Sequence, residues 1–219
     1  MTKIEPIREA WENEVIGSLR VALVGIMIGF GMLSKTASGE ALRTSIHTDR
    51  LIQTSARQIA VNHVTVEAKV DFGSFTQHPE ALLGRFDPSV VKTLLQTDPA
   101  AADARLAQME GDQGLMIFSM QNHGALFGMV GSARHAIRYN IGNPRVAFRM
   151  TQHDIRAGLY APLSVLVYEV APGTVRVEYD QPSTLFGQFG NADVAAVGRE
   201  LDGKLASVIE NAASLAAKP

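Results

Sequence analysis

The 219-residue sequence contains no cysteine. That absence excludes disulfides, thiolate nucleophiles, iron–sulfur clusters, cysteine-ligated zinc and covalent c-type haem attachment. It leaves the compartment open, because a secreted domain with an adequate core needs no disulfide. A charge excess is also missing. Twenty Lys and Arg against 22 Asp and Glu give a net charge of −2, which argues against a dedicated nucleic-acid binder, and no nucleic-acid partner is expected. Composite catalytic motifs are absent as well. Among the six histidines (His47, His63, His78, His123, His135 and His153) no pair has the i,i+4 spacing of a helical metal site. Gly187-Gln-Phe-Gly190 carries no phosphate-binding lysine, and Ser164 and Ser183 lack a nucleophile-elbow context. The carboxylates Asp154, Glu169, Glu178 and Asp180 are spread along separate elements. The sequence therefore states no reaction, and whether the protein is an enzyme stays open.

What is present is globular. A hydrophobic content of 46% with 19% charged residues suits a packed domain with an appendage, or two small domains. The first 20 residues are polar, with Ile7, Trp11, Val15 and Leu19 at the spacing of a short amphipathic helix. Val21–Leu33 follows, thirteen residues without a charge. A membrane span needs about 20 mostly apolar residues, which this run approaches when extended back to Val15 with Arg20 snorkelling. Three readings compete for it: a membrane anchor, a cleaved secretory signal, and a buried helix. The anchor is favoured, because the preceding stretch is long and acidic for a signal peptide. It predicts a membrane-associated protein tethered through residues 15–34, with its folded domain on the extracytoplasmic (periplasmic) side. The expected organisation is 1–34 amphipathic stretch and anchor, 35–59 polar linker, and 60–216 folded domain.

Within that domain, Val61–Val70 alternates as a first strand. Phe72–Asp87 reads as irregular. Asp87 and Asp98 each precede a proline, the signature of an N-cap followed by proline at the first helical position, so helices are predicted at 88–96 and 99–110. Leu115–Met120 is a second strand, and Asn122 caps a predicted helix from about Gly124. Gly142-Asn143-Pro144 is a tight turn leading into a short extended segment through Met150. Ser164–Val170 is nearly all apolar, as a strand buried on both faces would be. Pro172-Gly173 turns the chain into Val175–Asp180, which alternates like a strand with one wet face. Gln181–Gly190 reads as loop. Ala192–Ala216 repeats apolar residues at threes and fours and predicts a long closing helix. The order implies an α+β two-layer sandwich, a mainly antiparallel sheet with helices on one face, preceded by the N-terminal hydrophobic helix.

Four short blocks carry a family resemblance: His123 after a strand, Gly142-Asn143-Pro144, Pro162-Leu-Ser-Val-Leu-Val-Tyr-Glu169, and Val177-Glu-Tyr-Asp-Gln-Pro182. In their order and spacing the chain resembles the DUF302 family over roughly residues 60–213. The resemblance implies a small bacterial or archaeal α+β domain, often a homodimer, whose function is largely unassigned. Two departures stand out: Asn122 occupies a position usually held by Asp, and residues 78–97 look like an insertion.

His123 is the leading candidate ligand. It stands at a strand–helix junction among Met116, Phe118, Met120, Leu126, Phe127 and Met129, the local setting of an axial haem ligand. The resemblance adds weight, since some relatives look like haem-b proteins with a histidine on the iron. In this reading His123 is the metal ligand, Met120 and Phe127 belong to an apolar cavity, and Arg138 or Arg145 holds the propionates. In the competing reading the Met and Phe residues are ordinary core and His123 caps a helix. Two functions follow: a membrane-tethered ligand-binding or sensing module, possible haem b included, or a cofactor-free domain that scaffolds a membrane-protein partner.

Overall fold

The computed structural model describes residues 52–218. The expectations for the amphipathic stretch, the anchor and most of the linker fall on residues 1–51 and lie outside the described residues. Among the described residues no helix is long and apolar enough to cross a membrane.

Among the described residues six strands form one sheet in the order β1-β6-β5-β4-β3-β2. They are β1 (His63–Ala68), β2 (Gly84–Arg85), β3 (Met116–Asn122), β4 (Ala136–Gly142), β5 (Leu163–Ala171) and β6 (Thr174–Asp180). Every pairing is antiparallel except β2 with β3, so the sheet is mixed. The helices are α1 (Phe72–Leu82), α2 (Pro88–Lys92), α3 (Leu94–Thr97), α4 (Pro99–Gln108), α5 (Pro144–Thr151), α6 (Pro182–Gly187) and α7 (Ala192–Ala216). The fold is α+β.

The main core lies between one face of the sheet and the helices α1, α5, α6 and α7. Val165 and Val167 of β5, Val175 and Val177 of β6, and Tyr139 and Ile141 of β4 are buried against Phe75 of α1 and against α7. Along α7, Val194, Val197, Leu201, Leu205, Val208 and Ile209 are all buried, the threes-and-fours stripe expected of an amphipathic helix. Its start is fixed by Asn191, whose Oδ1 accepts from the backbone N–H groups of Asp193 and Val194. The predicted caps at Asp87 and Asp98 form, accepting from Ser89 at 2.9 Å and Ala101 at 3.0 Å.

Several expectations need correction. The stretch after β1 is helical: Asp71 accepts from the Ser74 N–H at 2.9 Å, and Phe72, Phe75, Thr76 and Pro79 are buried along α1. That burial outweighs the His78-Pro79 turn signal, since tertiary packing supplies most helical stability. The segment after the Gly-Asn-Pro turn is the helix α5, because Asn143 Oδ1 caps Arg145 N–H at 2.8 Å with Pro144 at the first position. Residues 182–187, read as loop, form α6. Strand β4 was not anticipated, and the predicted helix from Gly124 is a 3-10 segment, Gly124–Val130. Strand β5 is not buried on both faces: Ser164 is exposed and Leu166 and Tyr168 are half-buried, whereas Val165 and Val167 are buried.

Candidate functional site

Alternation along a strand sends successive side chains to opposite faces. The face away from that core carries Arg138 and Asn140 of β4, Ser164, Leu166 and Tyr168 of β5, Glu178 and Asp180 of β6, and His63 of β1. A groove of about 690 Å³ runs across it, within the roughly 300–1,000 Å³ usual for small-ligand sites. Ala136 and Leu166 contribute apolar floor, His63, Glu178 and Asp180 stand at the β1 side, and His123, Phe127, Arg134, His135 and Glu169 close the opposite side. The 3-10 segment supplies Phe127, and Gly124 is what lets it approach. A Cβ at Gly124 would collide with the Arg134 carbonyl oxygen and the Ala136 nitrogen. Asn122 Oδ1 anchors the segment by accepting from Ala125 N–H at 2.9 Å.

One hydrogen-bonded chain spans the β1 side. The Tyr168 hydroxyl donates to Glu178 Oε1 at 2.7 Å, Glu178 Oε2 lies 3.4 Å from His63 Nε2, and His63 Nδ1 lies 2.9 Å from Asp180 Oδ1. The bonds to Asp180 and then Glu178 raise the His63 pKa above the ordinary imidazole value. The Tyr168 hydroxyl, and after it His63, hold the Glu178 carboxyl below its usual range. Across the groove, His135 Nδ1 sits 2.8 Å from Glu169 Oε2, and its ring stacks on Phe72 with centroids 5.2 Å apart. A carboxylate on one ring nitrogen fixes the orientation of the other.

The remaining polar groups have no such partners. Among the described residues the His123 ring makes no hydrogen bond, and neither Arg134 nor Arg138 is ion-paired. Arg138 donates to Ser164 Oγ at 2.7 Å and more weakly to Gln121 Oε1 at 3.4 Å. The Arg134 guanidinium lies 5.8 Å over the Phe127 ring. No group of three or more His, Asp or Glu among the described residues is arranged to hold a metal ion.

Of the residues singled out in the sequence, His123, Phe127 and Arg138 come together in the groove. Two do not. Met120 accepts a contact of 3.0 Å from Arg85 Nη1 at its sulfur. Arg145, on α5, is held by Asp103 at 2.7 Å and Glu110 at 3.0 Å. Those carboxylates raise its pKa, Asp103 foremost. The expected Met and Phe cage is not formed around His123 either. Met116 is fully buried, Phe118 packs on Phe86 at 4.4 Å, and Met129 is 84% exposed. The groove instead recruits His63, His135, Tyr168, Glu178 and Asp180. Their signal was the period-two pattern itself: Glu178 and Asp180 are two apart on one strand and so share a face.

The family model described as "Domain of unknown function DUF302" matches residues 90–212. No curated protein matches the chain. Among solved structures, the chain is similar to the uncharacterized conserved protein DUF302 from Bacillus stearothermophilus. The two share 15% identity with a TM-score of 0.47, over 68% of this chain and 95% of that one. With more than half of its length matched by the family model, the chain belongs to the DUF302 family.

Proposed function

We propose that the protein is a ligand-binding module whose site is the groove on the open sheet face, and that its ligand is flat, apolar-bodied and anionic. One observation carries this reading. Among the described residues, an imidazole without a hydrogen bond, His123, lines the groove with two guanidiniums without carboxylate partners, Arg134 and Arg138, beside Ala136 and Leu166. Arginine forks suit carboxylates, and their weak hydration suits a partly apolar wall. Haem b fits this donor set: bound non-covalently, it supplies an iron centre for gas or electron chemistry. His123 would hold the iron, Arg134 and Arg138 the propionates, and Phe127 and Leu166 the ring.

Titration of the full-length protein with haemin tests it. The expected result is a saturable Soret band that moves on reduction and is lost in His123→Ala. Arg138→Ala should weaken binding roughly 10- to 100-fold, the value of one charge-assisted hydrogen bond. Identical spectra for His123→Ala and wild type would remove the assignment. A flat spectrum from a dimeric wild-type protein would favour the rival reading, a cofactor-free interaction domain. Exposed Leu126 at 60% and Val130 at 77% on the 3-10 segment support that rival.

The reading includes a membrane tether through residues 15–34, supported by the uncharged run Val21–Leu33. Full-length protein should stay with membranes after an alkaline wash, and release into the soluble fraction would remove the tether.

A further inference from the structure

A second hollow, half open to solvent, lies beside α5 at the ends of the strands, with a volume of about 300 Å³. It reaches the buried side chains of Ile141, Phe186 and Leu201, and Phe86, Phe118 and Pro162 also line it. Its lining is mostly carbon, with Thr151 and Asn143 as its polar side chains. Asn143 belongs to its rim, yet its amide donates to Glu110 Oε1 and the Gly114 carbonyl, each at 2.7 Å, and its Oδ1 accepts from Arg145 N–H.

Side chains pack closely wherever they can, so an apolar crevice of this size stays open only where its walls cannot collapse. They are fixed here. Pro144 and Pro162 restrict the backbone on two sides, Asn143 pins the turn between β4 and α5, and the Phe86 and Phe118 rings brace each other at 4.4 Å. Gly142 closes the fit. A Cβ at that position would stand 3.3 Å from Pro162 Cβ and 3.5 Å from Phe118 Cε2. The Gly-Asn-Pro turn, which contributes nothing to the open-face groove, thus shapes this second space.

We infer that this hollow is a binding site for a small neutral apolar ligand, separate from the groove. Mostly carbon walls offer a water molecule few hydrogen-bond partners, so contact with carbon is favoured there. An apolar cavity of about 150 Å³ takes one benzene ring, so the present volume admits roughly two rings or a short alkyl chain. A charged ligand is disfavoured, because its polar atoms would meet few partners along the mostly apolar walls.

The test uses the full-length protein and the neutral fluorophore N-phenyl-1-naphthylamine. The expected result is a saturable fluorescence increase, reversed by decanol. Ala147 is half-buried on α5 and lines the hollow, and Ala147→Phe should fill it and weaken binding at least tenfold with the far-ultraviolet circular dichroism unchanged. In wild type, intermolecular nuclear Overhauser effects from the probe should fall on the Phe86 and Phe118 rings, which decides the matter even if the variant does not fold. No saturable binding, effects confined to other residues, or equal binding by a folded Ala147→Phe would each overturn the inference.

Discussion

The two faces of one sheet follow opposite rules. On the covered face, Val165, Val167, Val175 and Val177 are interchangeable in chemistry and are buried by α1 and α7. On the open face, residues of the same strands are chemically individual: Leu166 is apolar, while Tyr168, Glu178 and Asp180 join His63 in one hydrogen-bonded chain. Strand geometry alone separates the sets, because a one-residue step reverses the direction of the side chain. The buried core therefore resides on one face, and the proposed recognition site on the other.

The sharpest way to test that division is a matched pair of truncations. Leu205→Ala removes a side chain that is 1% exposed in α7, and should cost about 2–5 kcal/mol in chemical denaturation. Leu166→Ala, at the half-buried groove floor, should cost about 1 kcal/mol or less and instead alter ligand binding. Equal losses would mean that the open face is covered in solution, as it would be by a second subunit.

The smallest expected effect concerns pH. His63 has a raised pKa because Asp180, then Glu178, stabilise its charged form. A group raised in the folded state contributes stability that is complete below its unfolded pKa of 6.5 and fades as pH rises through the folded value. Its side chain is 56% exposed, so the contribution is small and screened by salt. The same titration leaves Glu178 and Asp180 uncompensated, so an anionic ligand should bind more weakly above that pKa. Nuclear magnetic resonance titration of the His63 ring should give a pKa above 6.5 in wild type and a lower one in Asp180→Asn. An unmoved pKa in that variant would dissolve the proposed chain.

How legible each part was depended on the range of the signal. The Asp-Pro caps at Asp87 and Asp98, the Pro172-Gly173 hairpin and the α7 stripe are encoded within a few consecutive residues, and each formed where expected. The same cap logic applied to Asn143-Pro144, and following it there would have revealed α5. Helix α1 was hidden because Pro79 argues against it locally, while Phe72 and Phe75 are rewarded only by a sheet far along the chain. His123, Phe127 and Arg138 were legible as a group because they lie within one short stretch around β3 and β4.

The sequence by itself determined the period-two strands, the helix caps, the amphipathic closing helix and the α+β class, since those properties live in neighbouring residues. Only the tertiary structure decided which strands sit side by side. That order brings His63 to Glu178 across β1 and β6, sets Arg138 beside Ser164 across β4 and β5, and leaves Arg145 with Asp103 and Glu110 on the far side. The reason is physical: strand order is a global packing solution, and local periodicity fixes a side chain's face without fixing its neighbour.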